Sequence, residues 1–268
     1  MKSVGVVING AQGKMGREIA RAMVADPGLK LLGAVEQEVT QRYFPVAELP
    51  WLIPFSSDLG WIIKTCSPDV VVDFTNAEAA LAAARLALNR KVNMVIGSTG
   101  LTEENLSEIE SLAERNGVGA IVAPNFSLAA ALVVHLARFA AKFFDHAEIV
   151  EMHHDKKTDA PSGTAMATAR AMAEAHGKPF VHPEAELEAL SNTRGGELGG
   201  IAIHSLRMPG FLAGQEVVFS ETGETLVLRH EAISRECYVP GVVLAIKEVV
   251  KHKGFVYGLD NLLNLLEL

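Results

Sequence analysis

The chain has 268 residues, 49% hydrophobic and 21% charged, an ordinary globular composition with room for one large domain or two smaller ones. Its formal net charge of −8 argues against a nucleic-acid binder, whose footprint is basic, but not against binding a small anion, which local charge decides. Cys66 and Cys237 fit neither a metal spacing nor a disulfide framework, so a reducing, cytoplasmic setting is expected, with both thiols acting as small buried groups.

Val4 to Ile8 is a continuous apolar run of the kind buried in a parallel sheet, and its break at Asn9-Gly10 makes it a strand rather than a signal peptide. Gly10-Ala11-Gln12-Gly13-Lys14-Met15-Gly16 follows, then helical composition from Arg17 to Ala25. This is a dinucleotide-binding fingerprint with the middle glycine shifted by one. Its glycines permit a tight turn, close approach to a pyrophosphate and close helix–strand packing. A second strand, Lys30 to Val35, ends in Glu36, 20 residues beyond Gly16, where a carboxylate takes the ribose hydroxyls of the adenosine half. Gln37 stands where Arg or Lys would serve a 2′-phosphate better. NADH, or weak discrimination between NADH and NADPH, is therefore expected, although Arg42 is close enough in sequence to swing in.

Pro45, Pro50 and Pro54 punctuate the next stretch, which reads as irregular structure with a short helix near Asp58 to Thr65; Trp51 and Trp61 read as packing residues. Alternation then returns. Val70–Phe74, Val92–Ile96 and Ala120–Ala123 are strands; Glu78–Asn89 and a segment from Thr102 toward Arg115 are helices. The fold class is thus α/β, a Rossmann-like, mainly parallel, doubly wound sheet. Ligands bind beyond the carboxyl ends of such strands. Four turns lie there: Gly10–Gly16, Phe74-Thr75, Gly97-Ser98-Thr99, and Ala123-Pro124-Asn125-Phe126. They form a predicted coenzyme groove, in which small residues at Gly97 to Thr99 let a nicotinamide lie against backbone and a hydroxyl meet its carboxamide.

Ser127 caps a predicted helix to Phe144, apolar nearly all round and so buried between layers or subunits. Its apolar start, Leu128 to Ala137, is too short for a membrane span. The fifteen residues Glu151 to Ala165 hold two histidines, two lysines, three acids, a Pro and a Ser-Gly-Thr step. Ionisable groups are costly to bury unpaired, so this is no core segment. It begins as a strand ends and finishes as a helix begins: Pro161 bars helix for Ala160, and Ser162 is a good N-cap. The N–H groups of Gly163 and Thr164 then point out of a helix N-terminus, where an anion binds. His153 and His154 supply a proton near neutral pH, and Lys157 a fixed positive charge. Adjacent histidines at a strand end point to opposite sides, so no metal is expected. The stretch holds an anionic substrate and protonates it.

Beyond it, a short acidic helix is expected from Glu184 to Leu190, and a flexible or ligand-embracing loop from Arg194 to Gly200. An antiparallel meander follows in three runs: Ile201–Met208, Gln215–Ser220 and Glu224–His230. His204, Arg207, Arg229 and His230 read as exposed on its faces. A helix from Pro240 to Lys251 and an apolar segment, Leu259 to Leu268, return to the first lobe. The division is 1–125 with 236–268 as dinucleotide-binding domain, and 126–235 as an α+β substrate-binding and oligomerisation domain with a mixed or antiparallel sheet. The open face of that sheet predicts an oligomer.

The chain resembles the dihydrodipicolinate reductases. The likeness is carried by Gly10-Ala-Gln-Gly-Lys-Met-Gly16, Val71-Val-Asp-Phe-Thr75, Gly97-Ser-Thr-Gly100, Ala123-Pro-Asn-Phe-Ser127 and, most specifically, Glu151 to Ala165. The resemblance implies hydride transfer from NADH or NADPH to 4-hydroxy-tetrahydrodipicolinate or its dehydrated form, giving tetrahydrodipicolinate in lysine and diaminopimelate synthesis. It implies His153 as acid/base group, Lys157 as proton donor, and His154, Ser162, Gly163 and Thr164 as holders of a small dicarboxylate. Gly10 to Met15, Glu36, Gly97 to Thr99 and Ala123 to Phe126 would hold coenzyme. A homotetramer built through the second lobe's sheet is implied, without nucleic acid or membrane. Many members carry Arg where this chain has Gln37. The alternatives are a non-catalytic dinucleotide sensor, which has no use for His153 and Lys157, and another two-lobe amino-acid-pathway dehydrogenase, which leaves Glu151 to Ala165 unexplained.

Overall fold

The structure, a computed structural model, describes residues 3–46, 51–183 and 185–263. Contacts divide the chain into two compact units: Met1–Ser127 with Tyr238–Leu268, and Leu128–Cys237.

Unit 1 opens with β1 (Val4–Asn9), α1 (Lys14–Ala25) and β2 (Leu29–Val35). Val6, Val7 and Ile8 are fully buried, as a continuous apolar run in a two-sided sheet requires. Where proline spacing predicts irregular structure, two short strands form, β3 (Tyr43–Phe44) and β4 (Ile53–Ser56), before α2 (Leu59–Cys66). Ile53 and Phe55 bury one face of β4 while Pro54 and Ser56 take the other, and this period-2 alternation outweighs the proline. Pro50 lies outside the described residues. Trp51 and Trp61 are not core packing: they are 43% and 48% exposed, with the Trp51 indole donating to the Leu31 carbonyl.

Next come β5 (Val70–Asp73), α3 (Ala77–Leu88), β6 (Asn93–Ile96), α4 (Glu103–Asn116) and β7 (Gly119–Val122). The Thr102 hydroxyl and Asn105 side chain satisfy each other's backbone N–H groups, which fixes where α4 begins. Gly117, at φ +65°, ends it.

Unit 2 holds α5 (Leu128–Ala140), β8 (His146–His153), α6 (Gly163–His176), β9 (Gly196–Leu198), β10 (Ile201–Arg207), β11 (Ala213–Glu221) and β12 (Glu224–Ala232). After a 3₁₀ turn the chain re-enters unit 1 as α7 (Val239–Val249), β13 (Gly254–Tyr257) and α8 (Leu259–Leu262). Lys247 of α7 pairs with Asp26 beside α1 at 2.6 Å.

The first sheet has the order β13-β7-β6-β5-β1-β2-β4-β3, parallel except for β3 on β4. The order reverses at β1, which lies between β2 and β5, and ligands bind at such a reversal. The second sheet has the order β12-β11-β8-β10-β9. It is not a meander. The β8–α6–β10 crossover lays β10 parallel to β8, and β11 pairs with the other edge of β8. Only β11 and β12 form a simple hairpin among the three runs.

The glycine segment before β10 is no open loop. Gly196–Leu198 pairs with β10 through a two-residue turn in which Gly199 and Gly200 both have positive φ, +64° and +82°. A side chain at Gly200 would meet the Phe180 carbonyl at 2.0 Å. The acidic helix expected at 184–190 does not form in the described residues 185–190, where Leu187 and Leu190 are exposed and so contribute no packing that would hold a helix. Helix α5 stops at Ala140. It buries Ala130, Val133, Ala137 and Ala140 and exposes Leu132, Leu136 and Phe139, so its all-round apolar pattern is covered on one side only. Cys66 and Cys237 are half-buried. Among the described residues no helix is long and apolar enough to cross a membrane.

Candidate active site

The crest of the first sheet is built around missing side chains. Gly10 has φ +83°, and a Cβ there would lie 2.9 Å from the Phe74 carbonyl oxygen. At Gly16 a Cβ would lie 2.2 Å from the Gly10 carbonyl, so α1 packs against its own entry turn. Gly13 is the N-cap and offers no side chain to the first-turn N–H groups. Those donors are left for an outside anion. The Gln12 N–H donates to Glu36 Oε2 at 2.9 Å, so the carboxylate that ends β2 sits at the glycine turn. The structure thus brings Gly10, Ala11, Gln12, Gly13, Lys14, Met15 and Glu36 together. A cleft of about 470 Å³ lies beside them, lined by Gln12, Arg17, Arg21 and Phe44 among others. A glycine turn, uncapped helix start and adjacent carboxylate fit the pyrophosphate and ribose of a dinucleotide.

The remaining crest turns are held by Asp73. This carboxylate is fully buried and accepts from Asn9 Nδ2, Ser98 Oγ, Thr75 N and Thr75 Oγ1 at 2.6 to 3.2 Å. Burial raises its pKa, and the bonds from Ser98, Asn9 and Thr75 offset only part of that. Ser98 also accepts from Thr75 N at 2.8 Å, so its hydroxyl is committed inside the crest; Thr99 is the exposed hydroxyl of this turn. Gly97 makes room for the Phe74 ring, which a Cβ would meet at 2.1 Å. Phe74 packs on buried Phe126 at 5.7 Å; Ala123 is buried, Pro124 exposed, and Asn125 Oδ1 accepts from Ser127 N. Sequence reading missed Asp73 as the tie between three strand ends. Its signal was an acid closing an otherwise apolar strand.

In unit 2, alternate residues of β8 share a face. Ala147 and Ile149 are buried on it, and the same face carries Glu151 and His153. On the neighbouring β10, Ile201 and Ile203 share a face with Ser205 and Arg207. Both inward faces turn polar at the carboxyl ends of these parallel strands. Glu151 has no exposure and accepts from His153 Nδ1 at 2.6 Å, Arg207 Nη2 at 2.7 Å and Ser162 N at 3.2 Å. Burial raises its pKa, but hydrogen bonds from His153, Arg207 and Ser205, with the His153 charge, bring it down to about 2. Its charge therefore supports the fold fully above the ordinary value of 4.5, and that support is withdrawn as pH falls toward 2. With Nδ1 committed to Glu151, the His153 ring, 16% exposed, has Nε2 for proton transfer.

The loop after His153 carries the cation. The His154 carbonyl accepts Lys157 N at 3.2 Å, which turns the chain. Lys157 Nζ contacts Asp159 Oδ1 and Oδ2 at 2.7 and 2.9 Å. The Lys157 bond holds the Asp159 carboxyl below its usual range. Buried Ser162 caps α6 by accepting from Ala165 N at 3.2 Å. A Cβ on Gly163 would meet nothing within 4 Å, so the space at this helix start is open, as an anion there requires. Thr164 is half-buried in the first turn. The structure thus sets His153, His154, Lys157, Ser162, Gly163 and Thr164 on one strand end, one loop and one helix start. Arg207 is not a solvated strand residue: its side chain is 18% exposed and bridges Glu151 and the Asp159 carbonyl. Sequence reading missed this role, although period-2 alternation places Arg207 on the face of Ile201 and Ile203.

Two family models match the chain: the dihydrodipicolinate reductase N-terminus over residues 4–126 and the dihydrodipicolinate reductase C-terminus over residues 128–263. The chain is 50% identical over 265 residues to a 4-hydroxy-tetrahydrodipicolinate reductase from Dehalococcoides mccartyi, covering 99% of this chain and 100% of that protein. It is 46% identical to its namesake from Moorella thermoacetica, over 97% and 98% of the two. Among solved structures it matches a dipicolinate-bound dihydrodipicolinate reductase from Paenisporosarcina sp. TG-14, with TM-score 0.86, 38% identity, and 97% and 99% of the two chains covered. An amine dehydrogenase from Mycobacterium smegmatis, 16% identical at TM-score 0.65, shares the fold alone. The motifs, the two-unit fold and these matches agree over nearly the whole length: the chain belongs to the dihydrodipicolinate reductase family.

Proposed function

We propose that the protein reduces 4-hydroxy-tetrahydrodipicolinate, or its dehydrated form, to tetrahydrodipicolinate in lysine and diaminopimelate biosynthesis. The observation that carries this is the His153–Glu151 pair beside an open helix start and the Lys157 loop: an acid group next to a place for carboxylates. A bound nicotinamide coenzyme supplies the hydride. Unit 1 holds that coenzyme through Gly10 to Met15, Glu36, Gly97, Thr99 and Ala123 to Phe126, with Ser98 acting from inside the turn. In unit 2, the N–H groups of Gly163 and Thr164, capped by Ser162, take one carboxylate; Lys157 and His154 take the other end of the molecule. Hydride adds to the conjugated C=C–C=N system, electrons move to the ring nitrogen, and His153 delivers the balancing proton from Nε2. General-acid help of this kind is worth about 10² to 10⁴ in rate. The test is loss of coenzyme absorbance when the cyclic substrate is generated in situ from pyruvate and aspartate semialdehyde. No loss with either coenzyme contradicts the proposal.

For the coenzyme, the reading is NADH or dual use. Glu36 places a negative charge at the ribose end, Gln37 offers no cation, and the Arg42 guanidinium lies 5.7 Å over the Tyr43 ring. A 2′-phosphate therefore gains little here. We expect kcat/KM with NADH to equal or exceed that with NADPH. Gln37→Arg should raise the NADPH-to-NADH ratio about tenfold, the worth of one charge-assisted hydrogen bond. A strong NADPH preference in the unaltered protein contradicts this. Cytoplasmic location and a homotetramer through the five-stranded sheet complete the proposal. Support for the latter is edge strand β12, where Leu226 and Val227 are 36% and 49% exposed. Sedimentation should give about four times the 28.7 kDa chain mass; a monomer contradicts it.

A further inference from the structure

The polar ends of β8 and β10 meet on a single carboxylate. Glu151 joins three segments: His153 on its own strand, Arg207 and Ser205 on β10, and the Ser162 N–H at the start of α6. Arg207 carries the connection further. Its Nη2 also donates to the Asp159 carbonyl at 2.7 Å, and the Asp159 carboxylate holds Lys157 Nζ. From Glu151 the chain of contacts thus reaches both groups assigned above to chemistry. We infer that Glu151 and Arg207 are positioning residues: Glu151 keeps Nδ1 of His153 protonated in both charge states of the ring, so that the imidazolium gives up its Nε2 proton to the reacting molecule and is left as the Nδ1–H tautomer, and Arg207 sets the loop that presents Lys157. This rests on the proposed roles of His153 and Lys157.

A purely structural ion pair would look different. Buried pairs add little stability over apolar residues of the same size, so one retained in a core is better spent on specifying an arrangement. The usual strong pairing of Arg with carboxylate is a two-bond fork. Arg207 forgoes it: Nε, buried, has no partner among the described residues, and Nη2 spans from Glu151 to a different segment. The guanidinium ties two segments together rather than satisfying one acid.

Glu151→Gln separates the two roles, because the amide cannot replace the carboxylate. Arg207 Nη2 and Ser162 N both donate to Oε1, so the amide oxygen is held there. The amide NH₂ then faces His153 Nδ1, where Oε2 stood at 2.6 Å. Two donors cannot share that contact, so the ring must move its proton to Nε2.

The experiment is a pair of readouts on full-length protein. Imidazole ¹⁵N spectra, with the His153 signal assigned by its loss in His153→Ala, give the tautomer. Steady-state kinetics give kcat and KM. In the unaltered protein the neutral ring should carry its proton on Nδ1; in Glu151→Gln it should carry it on Nε2. With that switch kcat should fall by about 10² or more while KM for coenzyme is unchanged. Glu151→Asp, which keeps an acceptor-only group, should recover part of the rate and the original tautomer. Arg207→Lys should leave the tautomer alone and raise KM for the dicarboxylate about tenfold, the worth of one charge-assisted contact. Nε2 protonation in the unaltered protein overturns the inference even if Glu151→Gln fails to fold, as does full activity in Glu151→Gln. If the unaltered protein reduces no cyclic dicarboxylate, the proposed function fails instead, and the tautomer result still decides what Glu151 does.

Discussion

Replacing His153 by Ala should lower kcat by about 10² to 10⁴ and leave the affinity for coenzyme unchanged. The size follows from losing a positioned acid; the selectivity follows from placement. His153 closes β8 in unit 2, whereas the glycine turn and Glu36 belong to unit 1. The fold should survive, because Glu151 keeps Arg207, Ser205 and the Ser162 N–H when the imidazole is removed. The His153 backbone still accepts from Met208 N at 3.1 Å. Steady-state rates with a direct coenzyme titration check the point. Equal losses in turnover and coenzyme binding would mean that His153 acts through structure, not as the acid.

Lys157→Ala should lower kcat and raise KM for the dicarboxylate together, with a loss of about 10- to 100-fold in kcat/KM, the worth of one hydrogen bond to a charged group. In the structure Lys157 is not free. Its ammonium sits on both oxygens of Asp159, which is 56% exposed. If Lys157 takes substrate as proposed, a substrate carboxylate must compete with a surface acid, and such exposed pairs are worth about 0 to 1 kcal/mol. That is weak enough to be exchanged. On the proposed assignment of Lys157, Asp159 holds the ammonium in place until a dicarboxylate takes it over. Asp159→Asn should leave kcat largely intact, since the carbonyl that Arg207 holds is main chain. Normal turnover in Lys157→Ala would remove that residue from the site.

The two units were legible in the sequence to different depths. In unit 1 each strand is a short apolar run closed by a turn residue, and each helix has its own start signal, as at Thr102–Asn105. Parallel order then follows from strand–helix alternation, because a crossover leaves few choices. In unit 2 alternation found β10, β11 and β12 but said nothing about their neighbours. The missing fact was that α6 is a crossover helix. With β8 and β10 parallel and β9 on the outer edge of β10, β11 takes the other edge of β8, and the meander is excluded.

The site divides the same way. His153, Lys157 and the Ser162 cap lie in one contiguous stretch, so their proximity could be read directly. Arg207 is 54 residues beyond His153 and meets Glu151 only through strand pairing. Composition at Arg207 reads as solvated because charged strand residues usually are. The clue was its partner. Glu151 follows Ala147 and Ile149 on a buried face, and a buried acid must find a cation. Ser98 shows what composition hides: a hydroxyl in a ligand-facing turn reads as a direct ligand contact, whereas in the structure it donates to buried Asp73 and acts from inside the turn.

The most direct test of the central claim is a crystal structure of the protein with dipicolinate. One carboxylate should accept the N–H groups of Gly163 and Thr164, Lys157 should have left Asp159 for the other end of the ligand, and His153 Nε2 should face the ring with Nδ1 still on Glu151. Dipicolinate bound elsewhere, or bound with Lys157 unmoved and His153 turned away, would contradict the assignment of this stretch as the place where substrate is held and protonated.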